Sequence, residues 1–322
     1  MLAIQAVRAG GPDVLEAVDA VRPEAGPGQV LVQHAAIGLN FIDTYQRSGL
    51  YPMRYPAVLG QEASGVVEAV GEGVAGFKAG DRVVYSGLGG AYAEYQAVSA
   101  ARLLHLPDGV SFEVAAASLL KGMTTEFLVR RCYPLKAGET LLLHAAAGGV
   151  GTLLTQWAKA IGATVIGTVG SAAKAALARE LGCDHVILYR EEDVPARVKA
   201  ITGGAGVPVA YDSVGKDTFE MTMGSLARRG LFVSFGNASG AVPAFEPLRL
   251  SRAGSLFFTR PTMGDYTATR AELEESSGAL FEMIASGKLR VEIGQRFKLA
   301  DARQAHEALE GRETIGATVL LP

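Results

Sequence analysis

Cysteine is scarce: Cys132 and Cys183 are the only two in 322 residues. That excludes a disulfide-stapled scaffold and a four-thiolate structural metal lobe, and it fits a reducing compartment, the cytoplasm. The five histidines, His34, His105, His144, His185 and His306, show no metal-ligand spacing, so no metal is expected. Neither sign of charge dominates: 30 Lys and Arg stand against 33 Asp and Glu, a net charge of -3. With no basic stripe, nucleic acid and anionic membrane are poor partners. No apolar run of membrane-spanning length is free of Gly, His or charge. Met1–Arg8 lacks a basic region followed by a long apolar core, so no signal peptide is expected. No internal repeat or low-complexity segment stands out.

What is present is apolar residue and glycine. Hydrophobic residues make up 49 % of the chain and charged residues 20 %, and 40 glycines are spread along it. This is the composition of a well-buried chain with many tight turns, long enough for two domains. The first third alternates short strand-like runs, Val30–Ile37, Gly65–Val70 and Asp81–Tyr85, with Gly/Pro turns, and reads as a compact, mostly β domain with irregular loops. Ser111 caps a helix with Glu113 in its first turn. From Thr140 strands and helices alternate: strands at Thr140–Ala145, Thr164–Val169, His185–Leu188, Val209–Asp212, Leu231–Phe235 and Ser255–Thr259, helices at Ala172–Leu181, Val194–Thr202 and Thr218–Leu226. Such alternation implies right-handed crossovers and a doubly wound parallel sheet covered on both faces. A helix Arg270–Ser286, a strand near Val291, a helix Asp301–Glu310 and a strand Ala317–Leu321 are expected to return to the first domain.

Between the strand at Thr140 and the helix beginning at Thr152 lies Ala146-x-Gly148-x-x-Gly151, a dinucleotide phosphate turn with Ala in the first glycine position. Ala147, Gly148, Gly149 and Val150 form its loop. Gly148 lets backbone approach a pyrophosphate, Gly151 lets helix and strand pack closely, and the helix N-terminus offers N–H groups and partial positive charge. An NAD site carries a carboxylate at the end of the second strand for the ribose 2′-OH. Here that strand ends Val169-Gly170-Ser171, with Lys174 three residues on. A hydroxyl and an ammonium receive a 2′-phosphate, which a carboxylate would repel, so NADPH is the expected cofactor. Tyr189, after the third strand, lies where the adenosine end is expected.

With these motifs in place, the chain resembles a known family. Gly138-Glu139-x-x-Leu142-x-x-x-Ala146-Ala147-Gly148-Gly149-x-Gly151-x4-Gln156-x-x-Lys159 looks like the signature of the quinone oxidoreductase and ζ-crystallin branch of the medium-chain dehydrogenases/reductases. Ile37–Asp43, Arg47–Tyr51, Gly80–Val83, Tyr211–Gly215 and Ser234–Asn237 look like the bacterial NADPH:quinone reductases of that branch, so the resemblance covers essentially the whole chain. It implies an α/β protein: a GroES-like, mostly β catalytic domain over 1–122 and 262–322, and a Rossmann domain over 123–261. It also implies cofactor contacts at Phe235, Asn237 and Arg312, and a homodimer joined through the edge around Ser255–Thr259. The zinc-dependent relatives need a cysteine near Asn40 and a Gly-His-Glu where Gly60-Gln61-Glu62 stands, so the resemblance is to the zinc-free branch.

Without a metal the substrate must accept hydride readily, as a quinone does. The protein then aligns cofactor and acceptor, excludes water and supplies hydrogen bonds to the developing oxyanion. The resemblance assigns Asn40, Tyr45, Tyr51 and Arg260 to that task. One departure stands out: Glu126 and Phe127 occupy positions where the bacterial relatives carry tyrosines, and Glu126 would set negative charge beside the nicotinamide. The alternative activity is NADPH-dependent reduction of an enone or alkenal double bond. A non-catalytic, crystallin-like or RNA-binding role is the third reading.

Overall fold

The computed structural model describes residues 1–322. They form two compact units, one of Met1–Met123, Thr267–Gly287 and Val291–Pro322, the other of Thr124–Tyr266 with Lys288–Arg290. No helix is long and apolar enough to cross a membrane.

The first unit begins with strands β1 (Leu2–Ala6), β2 (Leu15–Asp19), β3 (Gln29–Leu39), β4 (Ala57–Val58), β5 (Glu62–Val70), β6 (Arg82–Ser86), β7 (Tyr95–Ser99) and β8 (Leu104–His105). In β3 Val32, His34 and Ala36 face inward while Gln33 and Ala35 face out, the period-two alternation of a strand with one buried face. The C-terminal strand, Ala317–Leu321, adds to this sheet by antiparallel pairing of Thr318 with Leu39 and Leu320 with Ile37. The core mixes both chain ends: Ile4, Val32, Ile37, Tyr85, Tyr92, Leu299 and Leu320 share one buried cluster.

The second unit carries β9 (Thr140–Leu143), β10 (Thr164–Val169), β11 (His185–Leu188), β12 (Val207–Asp212), β13 (Leu226–Ser234) and β14 (Phe257–Thr259), and the chain ends in the first unit with β15 (Ile293–Lys298) and β16 (Ala317–Leu321). The six strands of the second unit lie in the order β11-β10-β9-β12-β13-β14, all parallel. The order reverses after β9, and in such a sheet ligands bind outside the carboxyl ends of the strands at that reversal.

The helices are α1 (Phe41–Ser48), α2 (Phe112–Phe127), α3 (Gly149–Ile161), α4 (Ala172–Glu180), α5 (Val194–Ile201) and α6 (Phe219–Ser225), followed by shorter pieces and the helices Arg270–Ala285 and Ala302–Glu310. Ser111 caps α2 as expected, its Oγ accepting from Val114 N at 3.2 Å. Several elements differ from the sequence reading: β9 ends at Leu143, α3 already starts at Gly149, and β12 starts at Val207. The Asn40–Tyr51 stretch, given no element in the sequence reading, holds α1. β13 starts at Leu226, the intended last residue of the preceding helix, and a register break between Val207 and Val209 accommodates Arg229, whose φ is +62°. β14 begins two residues late because Ser255 stands at φ +57°.

Candidate functional site

The phosphate turn leaves β9 at His144, and Ala145 turns the chain with φ +54°. Gly148, extended at φ -84° and ψ 174°, is the N-cap of α3. A Cβ on Gly151 would lie 2.2 Å from the Ala145 carbonyl oxygen and 2.8 Å from Ala146 C. Helix and turn therefore touch backbone to backbone, which only glycine allows. The first intrahelical bond at this end is Thr152 N to Gly148 O at 2.9 Å, so the amides of Gly149 and Val150 precede it and belong to the orphan set of the helix N-terminus. Those donors and the helix dipole fit a pyrophosphate.

A buried polar network holds this turn from below. His144 Nδ1 lies 2.9 Å from Thr168 Oγ1, and Nε2 lies 3.0 Å from Thr222 Oγ1. Thr222 and Thr218 donate to the Asp212 carboxylate at 2.9 and 2.7 Å, and Val214 N and Gly215 N donate to its other oxygen at 2.8 and 3.0 Å. Burial lowers the His144 pKa while the Asp212 charge opposes it. The network ties the ends of β9, β10 and β12 to α6, so the turn sits on a fixed floor. Composition and motif reading missed it because its members lie far apart in sequence.

At the second strand end, Ser171 caps α4, its Oγ accepting from Lys174 N at 3.4 Å. The hydroxyl keeps its own hydrogen to donate, and Lys174 stands in the first turn. A Cβ on Gly170 would be 2.9 Å from Tyr189 Oη, so Tyr189 lies over Gly170 and the two neighbouring strand ends meet. Arg190 stands over the Tyr189 ring at 5.9 Å. Phe235 N donates to Asp212 O at 2.8 Å, and Asn237 belongs to a loop packed on Ser213–Gly215, where Ala238 N reaches Ser213 O at 3.2 Å. The second unit thus gathers Ala147, Gly148, Gly149, Val150, Gly170, Ser171, Lys174, Tyr189, Phe235 and Asn237 along the carboxyl edge of one sheet. Arg312 is in the first unit, exposed, at φ +59°.

The other candidates divide between the units. Asn40 is the N-cap of α1 and is buried; its Nδ2 donates to Gly38 O at 3.2 Å and to Glu62 Oε2 at 3.0 Å. Both amide hydrogens are therefore committed, and the side-chain oxygen takes part in the capping box with Asp43 at the start of α1. Tyr45 is buried, and its ring meets Tyr51 edge-on at 5.3 Å. Arg260 follows β14 directly and is exposed, with Nη1 donating to Pro261 O at 3.1 Å. The sequence reading did not single out Lys121, whose Nζ lies 3.4 Å from the wholly buried Glu62; Leu120 N donates to the same carboxylate at 2.6 Å. A buried lysine in an apolar helix was the available signal.

Glu126 corrects an expectation. It is wholly buried, and Arg131 and Arg130 hold its carboxylate at 2.7 and 3.3 Å. Its charge is neutralised inside the second unit, where Phe127 stacks on Tyr266 at 4.4 Å. Zinc does not fit the residues present. No three His, Cys, Asp or Glu side chains converge on a metal position, and Glu62 is occupied by an amide and an ammonium.

Two family models match: an alcohol dehydrogenase GroES-like domain over residues 26–108 and a zinc-binding dehydrogenase over residues 149–280. The chain is 53 % identical over 321 residues to a quinone oxidoreductase of Pseudomonas aeruginosa, covering 99 % of each. It is 43 % identical to a 2-haloacrylate reductase of a Burkholderia species, over 97 % of this chain and 96 % of the relative. The crystal structure of Escherichia coli quinone oxidoreductase complexed with NADPH superposes with a TM-score of 0.98 at 50 % identity, covering all of both chains. The phosphate turn, the two-unit architecture and these full-length likenesses agree, and the chain belongs to the quinone oxidoreductase branch of the medium-chain dehydrogenases/reductases.

Proposed function

We propose that this protein reduces quinones with NADPH by hydride transfer and without a metal. The observation that carries the reading is the pair of strand ends on one sheet edge: a glycine turn with helix-start amides after β9, and Ser171 with Lys174, in place of a carboxylate, after β10. The E. coli relative's complex with NADPH supports it.

Bound NADPH supplies the hydride from nicotinamide C4. The chain's own residues bind, orient and stabilise. The α3 amides hold the pyrophosphate, Ser171 and Lys174 take the 2′-phosphate, with Arg312 a third group for it, and Tyr189 covers the adenosine end. Phe235 and Asn237 line the loops toward the nicotinamide. A quinone that gains a hydride carries negative charge on oxygen until water supplies a proton. Hydroxyl donors of Tyr45 and Tyr51 stabilise that charge, Arg260 adds a positive group, and Asn40, whose amide hydrogens are committed to Gly38 and Glu62, acts through its fixed position at the start of α1. The test is steady-state NADPH consumption with benzoquinone and with phenanthrenequinone. Sustained turnover of both is expected; binding of NADPH with no turnover of either quinone would overturn the reading.

The likeness to the 2-haloacrylate reductase favours one second reading, reduction of an activated carbon–carbon double bond by the same hydride. The cytoplasm is the proposed location, where the free thiols Cys132 and Cys183 persist. A homodimer through β14 is also proposed. This strand is the sheet's edge, and Phe257 on it is 61 % exposed, an edge that pairing would protect. Light scattering at micromolar concentration should give twice the chain mass; a monomer there contradicts the dimer.

A further inference from the structure

The first unit buries a second polar network that the proposed chemistry does not use. Asp43, Tyr92 and His306 are wholly buried and Arg47 is 2 % exposed. Arg47 Nη1 lies 3.0 Å from His306 Nδ1, His306 Nε2 lies 3.0 Å from Tyr92 Oη, and Tyr92 Oη lies 3.0 Å from Asp43 Oδ2. Arg47 also donates to Glu310 Oε1 at 2.7 Å and to Gly10 O at 3.1 Å.

The direction of this chain is fixed by its first member. A guanidinium only donates, so His306 Nδ1 accepts. The imidazole proton is then on Nε2 and goes to Tyr92 Oη. The Tyr92 hydrogen is left to go to Asp43. Burial, with the Arg47 charge adding to it, drives the His306 pKa down to about 3, in keeping with a neutral ring. Every bond points toward Asp43. The chain is no proton conduit, because Arg47 cannot give a proton up.

Asp43 Oδ2 receives a further bond from Asn40 N at 2.9 Å, while the buried Oδ1 has no partner. Asp43 and Arg47 are one turn apart on α1, and His306 and Glu310 are one turn apart on the helix Ala302–Glu310. The chain thus bolts two helices together. One of them carries Tyr45 and is capped by Asn40, with Tyr51 following. We propose that the chain Arg47–His306–Tyr92–Asp43 is a positioning device for quinone reduction, holding Asn40 and α1 in place for the acceptor. This inference rests on the acceptor role assigned to Asn40, Tyr45 and Tyr51.

The groups facing Asp43 explain why its protonation matters. Asn40 N and Tyr92 donate to it, Lys121 adds favourable charge and Glu62 adds unfavourable charge. Burial outweighs the rest and pushes the Asp43 pKa up to about 7. Once ionised, Asp43 accepts more strongly from Asn40 N and from Tyr92, and the grip on the start of α1 tightens. Native Asp43 also binds its proton more tightly than the unfolded carboxyl, whose ordinary value is 3.8, so its contribution to stability is lost as pH rises from there through about 7.

The test uses the full chain with benzoquinone as acceptor. In the unsubstituted protein, kcat/KM for the quinone should rise as pH rises through about 7 while KM for NADPH stays flat. Asp43→Asn keeps an acceptor for Asn40 and Tyr92 and cannot ionise, so it should hold the low-pH value across the range. Tyr92→Phe breaks the chain at its middle and should raise the quinone KM about fivefold at unchanged KM for NADPH. If both variants keep the parent's quinone constants and pH profile, or lose only thermal stability, the positioning role is refuted. If the parent protein turns over no quinone while binding NADPH, it is the proposed function that fails.

Discussion

Gly151→Ala is expected to weaken NADPH binding by about 100-fold, a loss of about 2.7 kcal/mol. The added methyl would meet the Ala145 carbonyl oxygen at 2.2 Å and Ala146 Cα at 2.8 Å. Both are backbone atoms on the floored turn, where His144 is pinned to Thr168 and Thr222, so they cannot swing aside as a flexible side chain would. The N-terminus of α3 must back away instead. Over-packing of this kind costs about 1–3 kcal/mol in itself. It also displaces the helix-start amides from the pyrophosphate, and anion binding at a helix N-terminus depends on their aim. Fluorescence titration with NADPH measures the effect, with far-ultraviolet circular dichroism as the control for folding. A folded variant binding within about threefold of the parent would contradict the assignment of the turn.

Lys174→Ala is expected to weaken NADPH about tenfold or more and to leave NADH unchanged, because a charge-assisted hydrogen bond contributes about 1.5–3 kcal/mol. Lys174 lies in the first turn of α4, three residues from Ser171, whose side-chain oxygen caps that helix. NADH has no 2′-phosphate and so loses nothing. The same titration run with both cofactors gives the ratio directly. An equal loss for both would mean that Lys174 supports the fold rather than the 2′-phosphate.

Much of the second unit was legible in the sequence because its signals are local. The strands at Thr164 and His185 begin and end where read, and Ser171 and Gly151 do locally what their types imply. Boundaries failed where backbone geometry overrode pattern: the left-handed Ala145, Arg229 and Ser255 end or bend strands that the apolar pattern would continue. The first unit was less legible. Helix α1 is eight residues long and includes Thr44 and Tyr45, which gives a weak propensity signal, and its cap depends on Asp43 reaching back to Asn40. The Glu62–Lys121 pair and the chain from Arg47 to Asp43 join residues tens to hundreds of positions apart, and no spacing rule reaches that far. Glu126 shows the opposite error. As a substitution in a motif it reads as a change at the cofactor; in the folded chain its charge is answered by Arg130 and Arg131 within the next turn.

The most direct measurement is kcat/KM with NADPH for benzoquinone beside that for an alkenal, in one preparation and one buffer. A quinone value well above the alkenal value is expected, since a quinone needs only alignment and hydrogen bonds to take a hydride. An alkenal value well above that of every quinone tried would contradict the quinone reading and assign the same turn and the same hydride to double-bond reduction.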